Sequence, residues 1–389
     1  MHHGRYILSQ LLDLISRKEL SRIVAKYKGH EKVRHFTCRQ QFTCMVFAQL
    51  TWRDGLRSIQ DCLNARPEQL HHLGFTKPIS KSTLADANEN RDWHIWEQVA
   101  LHLIKKARKL YGEDSFSEEI NHVVYALDST TIDLSLTLFP WAGFRTQKSG
   151  IKVHTQIDVK HFLPVFIEVT EARMSDVKWL DQLNFQNDAI YVFDRAYIDF
   201  SRFHQIEKKA AYFITRAKSN TRFTRSKSIN IDYGKGISSD QIGYWEHASA
   251  RRKYPGKIRR IRAWHAQSMA YVPFFTNHLT LPPDLIVHLY KKRWSIELFF
   301  KWIKQNLRIK HFYGTSPNAV KTQIWIAVAT YVMVAIIHKQ CGAQGDLHRK
   351  LQLLSVYPFE RIALCELLTT YISENQNEDE ICQLVFNDL

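Results

Sequence analysis

The chain lacks cysteine patterns that build a small scaffold. Cys38, Cys44, Cys62, Cys341, Cys365 and Cys382 show no Cys-x-x-Cys spacing and no adjacent histidine pattern. They read as scattered reduced thiols, mostly core, as expected in a cytoplasmic protein. A cleavable secretory layout is also missing, because Asp13 interrupts the apolar run of MHHGRYILSQLLDLI. The longest apolar run, Ile324 to Ile337, is too short to cross a bilayer and includes Thr330 and Tyr331. It reads as a buried helix, and no membrane is expected among the partners. There is no internal repeat and no low-complexity segment. Acidic residues are scarce too: 38 Asp and Glu stand against 54 Lys and Arg, a net charge of +16.

That charge is unevenly spread. Residues 215–265 carry 13 Lys and Arg against 3 acids, and residues 1–110 carry 19 against 10. The tail 371–389 holds no basic residue and 5 acids. Two separate basic regions point to a polyanion partner, nucleic acid first. At 389 residues there is room for two or three domains around real cores.

Residues 1–112 read as helices, with apolar spacing at Tyr6–Leu12, Glu19–Tyr27, Cys38–Leu50 and Trp93–Leu110. Within them ISKSTLADANENRD (79–92) suits a capped helix, either an ordinary surface helix or the reader of a helix-turn-helix. GEDSFSEE (112–119) reads as a linker. The pattern then switches to strands: VVYALDSTTIDL (123–134), the alternating IKVHTQIDVKH (151–161) and LPVFIEVTEA (163–172). A helix at Asp176–Leu183, a buried strand AIYVFDRAY (189–197), a helix at Phe200–Ala210 and a strand AYFITRAK (211–218) follow. Residues 219–280 alternate in short runs and read as an all-β insertion. From Ser316 the chain reads as helical, with a long buried helix about Val320–His338, a smaller helical unit about 347–373, and the acidic tail.

Between insertion and tail lies LPPDLIVHLYKKRWSIELFFKWIKQNLRI (281–309). Pro282 and Pro283 open it and Asp284 suits a helix N-terminus. It reads as one amphipathic helix to about Asn306. At about 100° per residue, Tyr290, Arg293, Glu297 and Lys304 share a sector of roughly 60°, with Lys301 at its border. Leu285, Leu289, Ile296, Phe299 and Ile303 form the opposing core face. Such a polar face is ordinarily a solvated surface with an Arg293–Glu297 pair worth a few tenths of a kcal/mol.

Phosphodiester chemistry with divalent ions needs carboxylates at the ends of rigid elements, because hard cations prefer oxygen. Asp128 ends the first apolar strand, Asp194 ends the fourth, and Glu297 lies on the polar helix face. Asp133, Asp158 and Asp199 lie nearby without a supporting motif. Lys152 and His154 alternate on the second strand and could face the same site.

The spacing Tyr-x2-Arg-x3-Glu-x6-Lys resembles the YREK signature of bacterial cut-and-paste transposases of the insertion-sequence-four family, within the DDE superfamily. Asp128-Ser129-Thr130 is similar to the context of that family's first acid. Asp194 and Ala196 match that of the second, with Tyr197 one place earlier than the family's aromatic. The resemblance covers about residues 120–340. It implies a ribonuclease-H-like α/β catalytic core of 120–218 and 281–340, with the β-rich insertion 219–280 before the last catalytic helix. A helical DNA-binding domain would precede it (1–112) and a helical region with the acidic tail would follow (341–389). It further implies Asp128, Asp194 and Glu297 as ligands of two Mg²⁺ ions, Mn²⁺ substituting. Tyr290, Arg293, Lys304 and the bordering Lys301 would contact phosphates of the element's end. Trp264 or Trp245 would hold a base flipped out when a hairpin forms, although either is equally a core tryptophan. The expected partner is double-stranded DNA, both element ends and target, met by a homodimer at the nucleoid.

Overall fold

The structure is a computed structural model describing residues 4–31, 33, 35–111, 122–145, 148–218, 220–231, 236–265, 268–306, 312–342 and 347–370. The sequence-read linker 112–119, the tail 371–389 and the end of the long helix stretch, 307–309, lie outside these residues.

Seven helices come first: α1 (Ile7–Leu12), α2 (Arg17–Lys26), α3 (Cys38–Leu50), α4 (Leu56–Asn64), α5 (Pro67–His72), α6 (Lys81–Asn90) and α7 (His94–Tyr111). Strands β1 (Val124–Leu134), β2 (Gly143–Arg145), β3 (Lys148–Asp158) and β4 (Leu163–Glu171) follow, then α8 (Asp176–Trp179), β5 (Ile190–Phe193), α9 (Phe200–Lys208) and β6 (Tyr212–Arg216). The next segment holds β7 (Phe223–Ile229), β8 (Ile237–Trp245), α10 (Ala248–Lys253), β9 (Ile258–His265) and β10 (Ala270–Thr276). Five helices close the described chain: α11 (Pro283–Lys292), α12 (Trp294–Asn306), α13 (Pro317–Gln340), α14 (Leu347–Val356) and α15 (Leu364–Thr370).

The chain divides into two compact units. One gathers the amino-terminal helices with Ile132–Trp141 and the chain from Phe300. Helices α2 and α3 start where side chains satisfy free backbone donors: Ser16 accepts from Glu19 N, and Thr37 with Gln40 forms a reciprocal capping box. The centre is α13, with 94% of its apolar window buried against α7, α3 and α6. By length and composition it could cross a membrane; here it is a core helix. Sequence reading assigns α13 to the catalytic segment, whereas its contacts are with the amino-terminal helices. The reading of all cysteines as free thiols also needs correction, since Cys341 and Cys365 form a disulfide while Cys38, Cys44 and Cys62 are free. Residues 24 apart in sequence become partners because α13 ends beside α15, a proximity no spacing rule reveals.

The other unit holds the mixed sheet, ordered β2-β3-β1-β5-β6-β10-β9-β8-β7 with β4 on the far side of β3. β1, β5 and β6 run parallel, and β4 pairs antiparallel with β3. The order β4-β3-β1-β5-β6 is that of a ribonuclease-H-like core. Parallel strands buried on both faces read as continuous apolar runs, as in Tyr125–Leu127 and Ile190–Phe193. Tyr125, Leu127, Trp179, Phe193, Phe203 and Phe213 form part of the core, each large side chain contributing about 1.5–3 kcal/mol.

Two expectations change here. The insertion is not all-β, for it contains α10, and its strands continue the same sheet, β10 pairing antiparallel with β6. The single helix of 283–306 is two, α11 and α12, divided at Arg293. Arg293 N donates to Tyr290 O and Ile296 N to Arg293 O, the tightened i to i−3 bonds of a 3-10 turn. Helical φ and ψ persist through the turn, so the apolar periodicity gives no sign of it.

A histidine relay ties the start of β1 to the end of β10. Leu281 N donates to His278 Nδ1, which leaves His278 Nε2–H facing His122 Nε2 at 3.3 Å. His122 Nδ1 then donates to the Asp188 carbonyl at 2.9 Å. Burial, with the charges of His122 and Arg259, pushes His278 down from 6.5 to about 4. Its neutral form is therefore favoured by folding. That stability is present above pH 6.5 and is lost as pH falls through about 4, up to roughly 3 kcal/mol at 1.36 kcal/mol per unit. Denaturant titrations between pH 7.5 and 4 should show this loss, and His278→Gln should flatten it. An equally steep loss in the variant would assign it elsewhere.

Candidate active site

The site begins with strand register. Leu127 of β1 stands opposite Phe193 of β5, so the next residues, Asp128 and Asp194, emerge side by side where the parallel β1–β5 pairing ends; β1 itself does not end at Asp128, as its sequence suggests, but runs on to Leu134. Open α/β sheets place ligands at such ends. Burial changes there as well, since Val124–Leu127 are buried and Asp128 is the first half-buried position. Asp128 Oδ1 accepts from Ser129 N at 2.8 Å, and Asp194 Oδ1 accepts from Arg195 N at 2.6 Å. These short local bonds aim both carboxylates.

Glu297 joins them through an arginine. Arg293 donates from Nη2 to Glu297 Oε1 at 2.6 Å and from Nη1 to Asp128 Oδ2 at 3.5 Å. The guanidinium is largely buried, and it lies 5.9 Å from the Tyr290 ring centroid. Arg293–Glu297 is thus more than a solvated surface pair. Burial pushes the Asp128 carboxyl up to about 6, opposed by the Ser129 amide and Arg293 and reinforced by Glu297 and Asp194. Two carboxylates on one guanidinium, with Asp194 set beside Asp128, leave a surplus of negative charge. That donor set is all oxygen and suits a hard divalent cation. In the arrangement described, Arg293 stands between Asp128 and Glu297, and among the described residues no three acids or other ligands are grouped closely enough to hold an ion.

The other expected residues are distributed differently. Tyr290 is buried against Phe274, centroids 4.9 Å apart, so its ring supports Arg293 rather than standing open. Lys301 and Lys304 follow Glu297 by one and two turns of α12, Lys301 exposed and Lys304 half-buried. Trp245 is a core residue, 1% exposed, and does not offer an open face to a base. Trp264 is 43% exposed and, with Lys291, His288 and Asp284, lines a cavity of about 760 Å³. Of the other acids, Asp158 pairs with His161 and Asp199 caps α9. Lys152 and His154 turn towards Asp176, an acid the sequence reading passed over. Its only sequence signal is Ser175-Asp176 at a helix start, which any capped helix shares.

The basic run of 251–262 separates by environment. Arg251, Arg252 and Lys253 are exposed on α10. Arg259 is buried and bonds Asp240 bidentately at 2.8 and 2.6 Å, so it belongs to the fold and not to an open basic face. Arg260 is half-buried over the Phe223 ring.

Comparison with known proteins shows the family. The family described as "Transposase DDE domain" matches residues 120–333, and a family described as "Domain of unknown function (DUF4372)" matches 3–76. A Sinorhizobium fredii protein named as transposase y4zB is 30% identical over 70% of this chain and 76% of its own length. A Geobacillus stearothermophilus protein named for insertion sequence element IS5377 is 27% identical over 57% of this chain and 58% of its own. One from Synechocystis named for IS4SA is 22% identical over 79% and 84%. A piggyBac transposase in a synaptic complex with hairpin DNA overlays with a TM-score of 0.45 at 10% identity, covering 100% of this chain and 86% of that one, too distant to carry an argument. The chain belongs to the DDE transposases, of the insertion-sequence-four-like type, enzymes that cut and join DNA strands with divalent ions.

Proposed function

We propose that this transposase binds the terminal inverted repeats of its own insertion sequence as a homodimer, cleaves the element's 3′ ends and joins them to target DNA through a hairpin intermediate. Asp128, Asp194 and Glu297 would hold two Mg²⁺ ions, for which Mn²⁺ can substitute. Bound there, such ions would activate the attacking oxygen and stabilise the leaving one. The chain's own residues prepare the rest. Water is the first nucleophile, the freed 3′-hydroxyl the second, attacking the opposite strand and, after the hairpin reopens, the target. Arg293 is proposed to grip a strand phosphate with its fork once ions balance the carboxylates, Tyr290 supporting its plane. Lys301 and Lys304 are proposed as phosphate contacts further along the strand, and Trp264 as the face on which an unstacked base rests. The amino-terminal helices would grip the end sequence, and the protein would act at the bacterial nucleoid.

The observation that carries this reading is that Asp128 and Glu297 share one buried arginine while strand register sets Asp194 level with Asp128. Its test is incubation with a labelled duplex bearing the element's end. Nicked, hairpin and joined products are expected. Hydrolysis without joining would indicate a nuclease, and binding without cleavage a repressor or decayed copy.

The basic run supplies a second expectation. End binding should weaken steeply with salt through counterion release, and neutralising Arg251, Arg252 and Lys253 together should flatten that slope by about 3 charges' worth. Arg259→Ala should instead lower folding stability by about 3–5 kcal/mol, because it leaves Asp240 buried and unpaired. Fluorescence-anisotropy binding across salt and chemical denaturation check the two. An unchanged slope would turn α10 away from DNA.

A further inference from the structure

Behind the acid centre lies a polar cluster that nothing above uses. Asp176, the first residue of α8, accepts with one oxygen, Oδ1, from Ser129 Oγ at 2.5 Å and from Lys152 Nζ at 3.1 Å. Lys152 also donates to Met174 O at 2.8 Å, which locks its ammonium against the turn before α8. His154, fully buried, stacks on Trp179 of α8 with centroids 5.2 Å apart, its Nδ1 3.8 Å from Asp176 Oδ1. The chain of bonds then continues to the centre, since the residue held by Asp176 is Ser129, whose backbone amide donates to Asp128. Tyr197 closes the cluster from the interior, 1% exposed, its hydroxyl turned to Ser129 and within reach of the Asp128 and Asp176 charges.

We propose that Asp176 is a positioning residue for strand cleavage: it clamps Ser129 between α8 and β3, and so sets the amide that aims the Asp128 carboxylate. This rests on the strand-cleavage reading of the acid centre. The physical reason is geometric. Asp128 is the first residue of β1 beyond its pairing with β5, so on that side no register dictates its direction, while β1 continues beside β3 to Leu134. A side-chain anchor on the following residue supplies the missing restraint, and misplacing a reacting group by about 1 Å can cost on the order of 100-fold.

The test uses the full-length protein, a labelled end duplex and Mn²⁺. Asp176→Ala should bind the duplex within about twofold of wild type and cleave it, in single turnover, at least about tenfold more slowly. The Mn²⁺ concentration for half-occupancy, read by paramagnetic resonance of free ion with the duplex bound, should rise several-fold. A purely structural role would leave that midpoint in place. Asp176→Asn keeps an acceptor for Ser129 Oγ and should retain cleavage within about threefold of wild type. Ser129→Ala should reproduce much of the defect, and adding it to Asp176→Ala should worsen nothing further, since both remove one link.

Wild-type cleavage and ion binding by Asp176→Ala would overturn the proposal. So would Asp176→Asn as defective as Asp176→Ala, which would mean that the charge itself acts at the centre. Multiplying defects in the double variant would also sink it. Should Asp176→Ala fail to fold by thermal melting, Ser129→Ala decides, an unshifted Mn²⁺ midpoint being the contrary result. If wild type cleaves nothing, the functional reading has failed, and the Mn²⁺ midpoints alone judge the clamp.

Discussion

Asp128→Asn, Asp194→Asn and Glu297→Gln are each expected to abolish divalent-ion-dependent cleavage of the end duplex while leaving duplex binding largely intact. Each replacement keeps the shape of the side chain and removes one anionic oxygen donor, while every basic residue stays in place. Asp128 and Asp194 lie one residue beyond the Leu127–Phe193 pair that ends the β1–β5 register, and Glu297 is tied to Asp128 through Arg293. A missing carboxylate therefore cannot be replaced by a neighbour without moving a strand or a helix. Loss of several kcal/mol of charge stabilisation corresponds to about 10³-fold or more in rate. Single-turnover cleavage with Mg²⁺ measures it. Near-normal cleavage by any one variant would remove that residue from the centre.

Arg293→Ala should bring the next largest loss. Its guanidinium contacts two of the three acids, so the variant leaves Asp128, already about 6 through burial, without its nearest positive charge. The same variant would lose the bidentate phosphate grip proposed for Arg293, and one charged hydrogen bond is worth about 1.5–3 kcal/mol, tenfold or more in rate. Arg293→Lys should not restore activity, because a point charge cannot span Asp128 and Glu297 as the fork does. Lys304→Ala, two turns beyond Glu297, should reduce assembly of the end complex and hairpin yield while sparing the fold. Cleavage and hairpin yield on the labelled duplex decide both. Wild-type yields from both variants would return this helix face to an ordinary solvated surface.

The sequence alone determined the elements that carry the acids. The apolar runs ending at Asp128 and Asp194 announce buried strands, because a parallel strand covered on both faces has no polar side to show. Periodicity likewise marked Ile296, Phe299 and Ile303 as the core face of α12, and the structure buries all three. Tertiary structure alone decided the relations between elements. That the two aspartates stand level depends on the β1–β5 register, a pairing across 66 residues that no local pattern encodes. The break at Arg293 escaped notice because a 3-10 turn barely disturbs helical spacing, yet there Arg293 reaches both Glu297 and Asp128. Arg251 and Arg259 read alike in a basic run; only burial beside Asp240 separates a surface charge from a structural one. Asp176 was invisible for the same reason. Its bond to Ser129 spans 47 positions, and a hydrogen bond depends on where two atoms meet in space.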